Sequence, residues 1–125
     1  MEVIIRGIAS YVSECIRGEQ TGFSFNANGQ IPTDGYMVGT GKFEHVFDSD
    51  SPRDMIISHI KDMFEVMSNI PMDAFIGGWS SEDGKCIVEL SICERDKNEA
   101  LKMAAKWGQI AIYDIQNQKD ITCKS

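Results

Sequence analysis

The hydrophobic positions change their period along the chain, and each change marks an element. Val3, Ile4 and Ile5 form a compact apolar run within residues 2–6, which predicts a short opening strand ended by Gly7. Ile8, Tyr11, Val12, Cys15 and Ile16 then recur at the spacing of an amphipathic helix, with Gly18 as its stop. Phe23 and Phe25 alternate with small polar residues, as on a half-buried strand, and Asn28-Gly29 is a turn that suits left-handed backbone angles. Tyr36 to Val38 and Phe43 to Phe47 read as two further short strands around Gly39 and Gly41.

The clearest helix opens at Ser51-Pro52. Ser51 is placed to cap the free amides, Pro52 is tolerated in a first turn, and Asp54 suits the positive end of the helix dipole. Met55, Ile56, Ile60, Met63, Phe64 and Met67 form one apolar face through about residue 68, with Pro71 just beyond. Ala74 to Ser80 and Lys85 to Cys93 read as strands joined by a hairpin-type turn at Ser81-Glu82-Asp83-Gly84. Asp96 and Glu99 have capping-box spacing ahead of a helix from about Lys97 to Trp107. Ala100, Leu101, Ala104 and Ala105 are its expected inner face, and Gly108 ends it. Gln109 to Ile115 is a last strand, with Asp120 to Thr122 as a short paired tail. These elements predict an α+β fold: a mostly antiparallel β-sheet packed against two or three helices on one face.

Composition narrows the function classes. At 125 residues the chain fits one domain, residues 1–125, and its 42% hydrophobic content suffices for a core without staples. Nineteen acidic residues against 12 basic ones give a net charge of −7, and the basic residues are scattered singly. Such a field repels a phosphate backbone, so a nucleic-acid polymer is a poor partner. The opening residues lack the basic and long apolar regions of a secretory signal, and no apolar run approaches the roughly 20 residues that span a bilayer. The cysteines, Cys15, Cys86, Cys93 and Cys123, form no C-x-x-C pair, which points to free thiols in a reducing cytosol.

Catalytic signatures are missing: there is no G-x-S-x-G, H-E-x-x-H, P-loop or G-x-G-x-x-G. His45 and His59 sit on different predicted elements, and Glu44 beside His45 points to the opposite face of a strand. Cys86 and Cys93 lie on opposite faces of one strand, and Asp48 and Asp50 are too few oxygen ligands for a calcium loop. The glycine-rich turns carry more. Gly35-Tyr36-Met37-Val38-Gly39 and Phe75-Ile76-Gly77-Gly78-Trp79 each set an aromatic ring beside glycine. There a backbone can approach a ligand and a ring can stack on a flat base; for any one of these residues a strand bend, with Trp79 in the core, is the favoured reading, and it is the occurrence of two such stretches that sustains a binding pocket. Lys106-Trp107-Gly108-Gln109 adds a cation, a ring and an amide at a helix-to-strand junction. The methionine stripe of the long helix suits a core or a soft subunit interface, and a homodimer at least is expected.

Three stretches together resemble a known group: Gly22-Phe-Ser-Phe-Asn-Ala-Asn-Gly-Gln-Ile-Pro-Thr-Asp-Gly-Tyr-Met-Val-Gly39, Phe75-Ile-Gly-Gly-Trp-Ser-Ser-Glu-Asp-Gly-Lys85 and Gln109-Ile-Ala-Ile-Tyr-Asp114. Over residues 20–115 they resemble small phage and mobile-element proteins, most of all the first type of Thoeris anti-defence proteins. That resemblance implies a sponge in the cytoplasm of an infected bacterial host. It would bind cyclic ADP-ribose isomers, the signals of TIR-domain enzymes, without cleaving them. It further implies dimers and higher oligomers, a hexamer among them, with pockets between subunits and a separate site for cyclic oligonucleotides in some members. Candidate stacking rings and phosphate-binding cations are Tyr36, Trp79, Arg53 and Lys106, and Phe75, Gly77, Gly78 and Gln109 complete the expected site. Two rival functions remain. One is an acidic inhibitor of a host defence complex or nuclease, acting through Asp48, Asp50, Asp54, Glu82 and Asp83; the other is a small nucleotide-directed enzyme.

Overall fold

The computed structural model describes residues 2–70 and 73–123. The chain opens with a helix, α1 (Glu2–Ile16), which absorbs the run expected to be a strand. The reason is periodic: Ile5, Ile8, Ala9, Val12 and Cys15 are buried along one stripe, so the apolar run is the first turn of that stripe. Gly7 sits on the solvent side, where an interior glycine costs a helix only about 1 kcal/mol. Gly18, at φ 75°, follows the helix end.

Three short strands follow, β1 (Gly22–Phe25), β2 (Tyr36–Gly39) and β3 (His45–Phe47). Phe43 does not join β3 as expected, because its φ of 58° lies outside extended backbone. The second helix is α2 (Arg53–Met67), with Pro52 as its N-cap and no side-chain cap. Ser51 is spent elsewhere: its hydroxyl accepts from the Asp48 amide at 3.0 Å and closes the preceding turn. Pro71 lies outside the described residues. The hairpin is β4 (Ala74–Ser80) and β5 (Cys86–Glu94), and α3 (Lys97–Lys106) follows. Asp96 caps α3 by accepting the Glu99 amide at 3.0 Å, and Gly108 ends it at φ 68°. The last strands are β6 (Ala111–Asp114) and β7 (Lys119–Thr122).

All seven strands form one antiparallel sheet in the order β1-β4-β5-β2-β6-β7, with β3 pairing β5 beyond the end of β2. The α+β architecture expected from the sequence is the one observed.

Register shows which face the helices cover. Ala74 stands opposite Ile92 and Ile92 opposite Val38, and these side chains share a face with Ile76, Leu90, Val88 and Ile112. That face meets α1 and α2 in one apolar cluster and α3, through Ala100 and Ala104, in a second. Ala105, expected on the inner side of α3, is exposed. Met63 and Met67 are buried in the chain's own core, so of the α2 methionines only Met55 faces solvent. The stripe that suggested an interface through this helix is already covered. No helix among the described residues is long and apolar enough to cross a membrane. Among the described residues no helix packs on the opposite face of the sheet.

Candidate ligand-binding groove

A strand buried on one face shows its alternate residues on the other, and here that second set is unusually small. Ser24, Gly77, Glu89, Ser91 and Gly39 lie on the helix-free face together with Met37 and the buried Phe75, and Trp79 and Tyr113 are its exposed rings. Small residues at the centre and rings at the margins make this face concave. It forms a groove of about 730 Å³ bordered by β1, β4, β5, β2 and β6, within the usual range for small-molecule sites. Trp79 and Tyr113 are each 40% exposed, so both rings offer surface to a ligand.

Glu89 lies in the floor of this groove and is 8% exposed. Its position follows from an interruption in the ladder. The neighbour of β5 changes from β2, opposite Ser91, to β3, opposite Val88, and residues 40–42 bridge the gap. Thr40 and Lys42 keep backbone bonds with Leu90, while the Gly41 amide is released from the ladder and donates to Glu89 Oε2 at 3.1 Å. Among the described residues Glu89 Oε1 takes no hydrogen bond. Gly39 makes room for it: a Cβ there would lie 2.5 Å from Oε1 and 3.0 Å from Gln109 Oε1. Gln109 thus reaches from the end of α3 to the same spot.

Burial pushes the Glu89 carboxyl above its ordinary pKa of 4.5; the Gly41 amide opposes that shift and the charge of Glu44 adds to it. The folded protein therefore holds this proton more tightly than the unfolded chain does. The stability it contributes is complete below the ordinary value of 4.5 and is lost as pH rises through the folded value. Glu89→Gln removes the titration. The variant is expected to be more stable than wild type at neutral pH, with the difference closing in acid, as read from urea midpoints across a pH series.

The expected site residues separate by face. Gly77, Gly78, Trp79 and Gln109 line the groove, Gly78 by its backbone alone, because the Phe23 ring covers its other side. Phe75 shares this face but is buried and borders a second recess of about 320 Å³ with Ile31, Pro32 and Thr33. Tyr36 has the opposite parity and packs against the cluster under α3. Arg53 reaches the Arg6 carbonyl and Ser10 hydroxyl, both at 3.4 Å, on the helix side. Lys106 is exposed in the last turn of α3 and does not line the groove. Trp107 packs into the core beneath that helix. Among the described residues no lysine or arginine lines the groove, and the charged lining residues are Glu89 and Asp120.

The sequence reading did not single out Glu89, Ser91, Met37 or Tyr113. Its available signal was a lone carboxyl inside Cys86-Ile-Val-Glu-Leu-Ser-Ile-Cys93, the most apolar strand of the chain. The histidines expected on separate elements meet in space, with ring centroids 5.2 Å apart and His59 Nε2 2.8 Å from the Phe43 carbonyl. They lie between β3 and α2, away from the groove. Cys86 faces the core and Cys93 the other side, as alternation requires, and burial pushes both thiols up. Among the described residues no three His, Cys, Asp or Glu side chains gather as a metal site. Asp48 and Asp50 lie in the turn before α2, Asp54 in its first turn, and Glu82 and Asp83 at the β4–β5 turn. Asp83 is spent locally, on Ser81 and on Lys85 at 3.4 Å.

No family model, curated protein or solved structure matches this chain.

Proposed function

We propose that the protein binds a cyclic nucleotide-type signal in the groove on the helix-free face of its sheet and holds it without cleaving it. The observation that carries this reading is the groove itself: a floor of small residues between two half-exposed rings, Trp79 and Tyr113. Flat rings stack on aromatic side chains whatever their base identity, and a glycine and serine floor leaves room for a ribose. Among the described residues the titratable lining groups are Glu89, Tyr113 and Asp120, with no histidine, cysteine or lysine, which favours retention over turnover.

Charge decides which end of the ligand the groove receives. With two carboxyl groups and no cation in the lining among the described residues, the base and sugar enter, and the phosphates stay at the mouth in water. This differs from a site built on Lys106 and Arg53. In an infected bacterial cell, the setting that the family resemblance implies, such a protein would withdraw a defence signal from its receptor by mass action.

Calorimetry with cyclic ADP-ribose isomers, cyclic dinucleotides and cyclic trinucleotides, followed by denaturation and chromatography of the released ligand, tests this reading. At least one of them is expected to bind and to be recovered intact. Recovery of a product would make the protein an enzyme. Absence of uptake across the panel would end the reading and leave the acidic inhibitor of a host complex as the better account.

A further inference from the structure

We infer that Glu89 selects the base, accepting the two adjacent N–H groups of a guanine edge and disfavouring adenine. This rests on the groove being a nucleotide site, as proposed above. Glu89 as a residue is more than nine-tenths buried yet lines the groove, and one of its carboxyl oxygens takes no hydrogen bond among the described residues. An ionised carboxylate is acceptor-only, with room for about four hydrogen bonds. The Gly41 amide supplies one. No buried side-chain oxygen among the described residues lacks a partner, so Oε1 faces the solvent in the groove, and a ligand that displaces that solvent must itself bring donors.

Register puts those donors within reach. Glu89 stands opposite Gly77, and Trp79 is two residues further along the same face of the same strand. Diagonal neighbours of this kind have Cβ atoms roughly 7–8 Å apart, within reach of long side chains. A base stacked on Trp79 can therefore present its edge to Glu89. Gly77 and Gly39 keep the intervening space clear of side chains.

The four bases differ sharply against such a carboxylate. Guanine offers N1–H and the N2 amino group side by side, two donors for two oxygens. Adenine and cytosine each pair one amino donor with a ring nitrogen acceptor, which meets the carboxylate lone pairs unfavourably. Uracil sets its single N–H between two carbonyls. A site that presents only acceptors rejects the ligand that cannot donate, because the buried acceptor is then left unmatched. Gln109 adds a second acceptor at the same point, because its amide oxygen faces Glu89 Oε1 across Gly39 while its amino group donates to the Trp107 carbonyl at 3.4 Å.

The test compares cyclic di-GMP with cyclic di-AMP by calorimetry over a pH series extending well above neutral, because burial raises the Glu89 carboxyl and only its ionised form is acceptor-only. Guanine is expected to win by roughly 5–150-fold, the discrimination of one good bidentate pair. Cyclic di-IMP, which keeps N1–H and loses the amino group, is expected in between, and this arm needs no protein variant. Glu89→Gln offers one acceptor and one donor, matching adenine, so the preference is expected to shrink or invert. Equal binding of both dinucleotides, weakened together by Trp79→Ala and untouched by Glu89→Gln, would overturn the selectivity and leave the groove reading standing. If neither dinucleotide binds, the selectivity is overturned; if the wider panel also fails, so is the groove reading.

Discussion

Gly78→Ala is expected to destabilise the folded protein by about 1–3 kcal/mol, the usual scale for overpacking a filled site. Gly78 stands opposite Phe23 on the helix-covered face, and the Phe23 ring lies directly over it. An added Cβ would overlap the ring at Cζ and Cε2. The ring has little freedom to retreat: its centroid is 5.9 Å from that of Phe25 and 6.0 Å from that of Tyr11, which belongs to α1. The gain from replacing a strand glycine, about 0.5–1 kcal/mol, is too small to offset the clash. Gly77→Ala is the matched control. Its Cβ would point into the groove, where the one close approach is the Ser91 hydroxyl at 3.0 Å, a group that can rotate away, and the Glu89 carbonyl and Ser91 Cβ at 3.9 Å are ordinary contacts. A stability change within about 0.5 kcal/mol is expected there, with ligand binding weakened instead. Urea denaturation of both variants distinguishes them; equal losses would mean the two faces of β4 have been assigned wrongly.

Trp79→Ala is expected to weaken ligand binding by about 1–3 kcal/mol, or roughly ten- to a hundredfold, with little effect on folding. The ring is 40% exposed and lies beyond the buried part of β4, so truncation opens no cavity in the core. What it removes is the stacking surface at one margin of the groove, opposite the margin formed by Tyr113 on β6. Isothermal titration of the variant with whichever cyclic nucleotide the wild type binds measures the loss. A variant that stays folded and binds as wild type does would remove Trp79 from the site.

The elements that local chemistry specifies were legible in the sequence. Asp96 at its N-cap, Gly108 after α3, the Ser81–Gly84 turn and the Phe23/Phe25 alternation all carry signals within a few residues, and each appears as expected. Two of the errors share a cause, a local pattern overruled by its longer context. Val3, Ile4 and Ile5 resemble a strand until Ile8, Ala9 and Val12 are counted into the same helical stripe. Ser51 resembles a cap until Asp48 engages its hydroxyl.

The candidate site was legible only in part, for a related reason. Tyr36 and Trp79 look alike in sequence, each an aromatic residue near glycine. Register places Trp79 on the open face, whereas Tyr36 packs with the cluster beneath α3. Which face stays open is set by how the helices pack, and no local pattern encodes that. Glu89 was hidden in the same way. Within β5 it reads as one polar residue in an apolar run, and its meaning depends on the gap between β2 and β3 where residues 40–42 bend away.

The central claim is that the helix-free face of the sheet is the binding surface. Amide chemical-shift mapping of the labelled protein, titrated with the tightest cyclic nucleotide found, tests it most directly. The account predicts shifts concentrated at Gly77 to Trp79, Glu89 and its partner Gly41, and Gln109 to Tyr113. Shifts centred instead on Arg53, Tyr36 and Lys106, or none at saturating ligand, would contradict it.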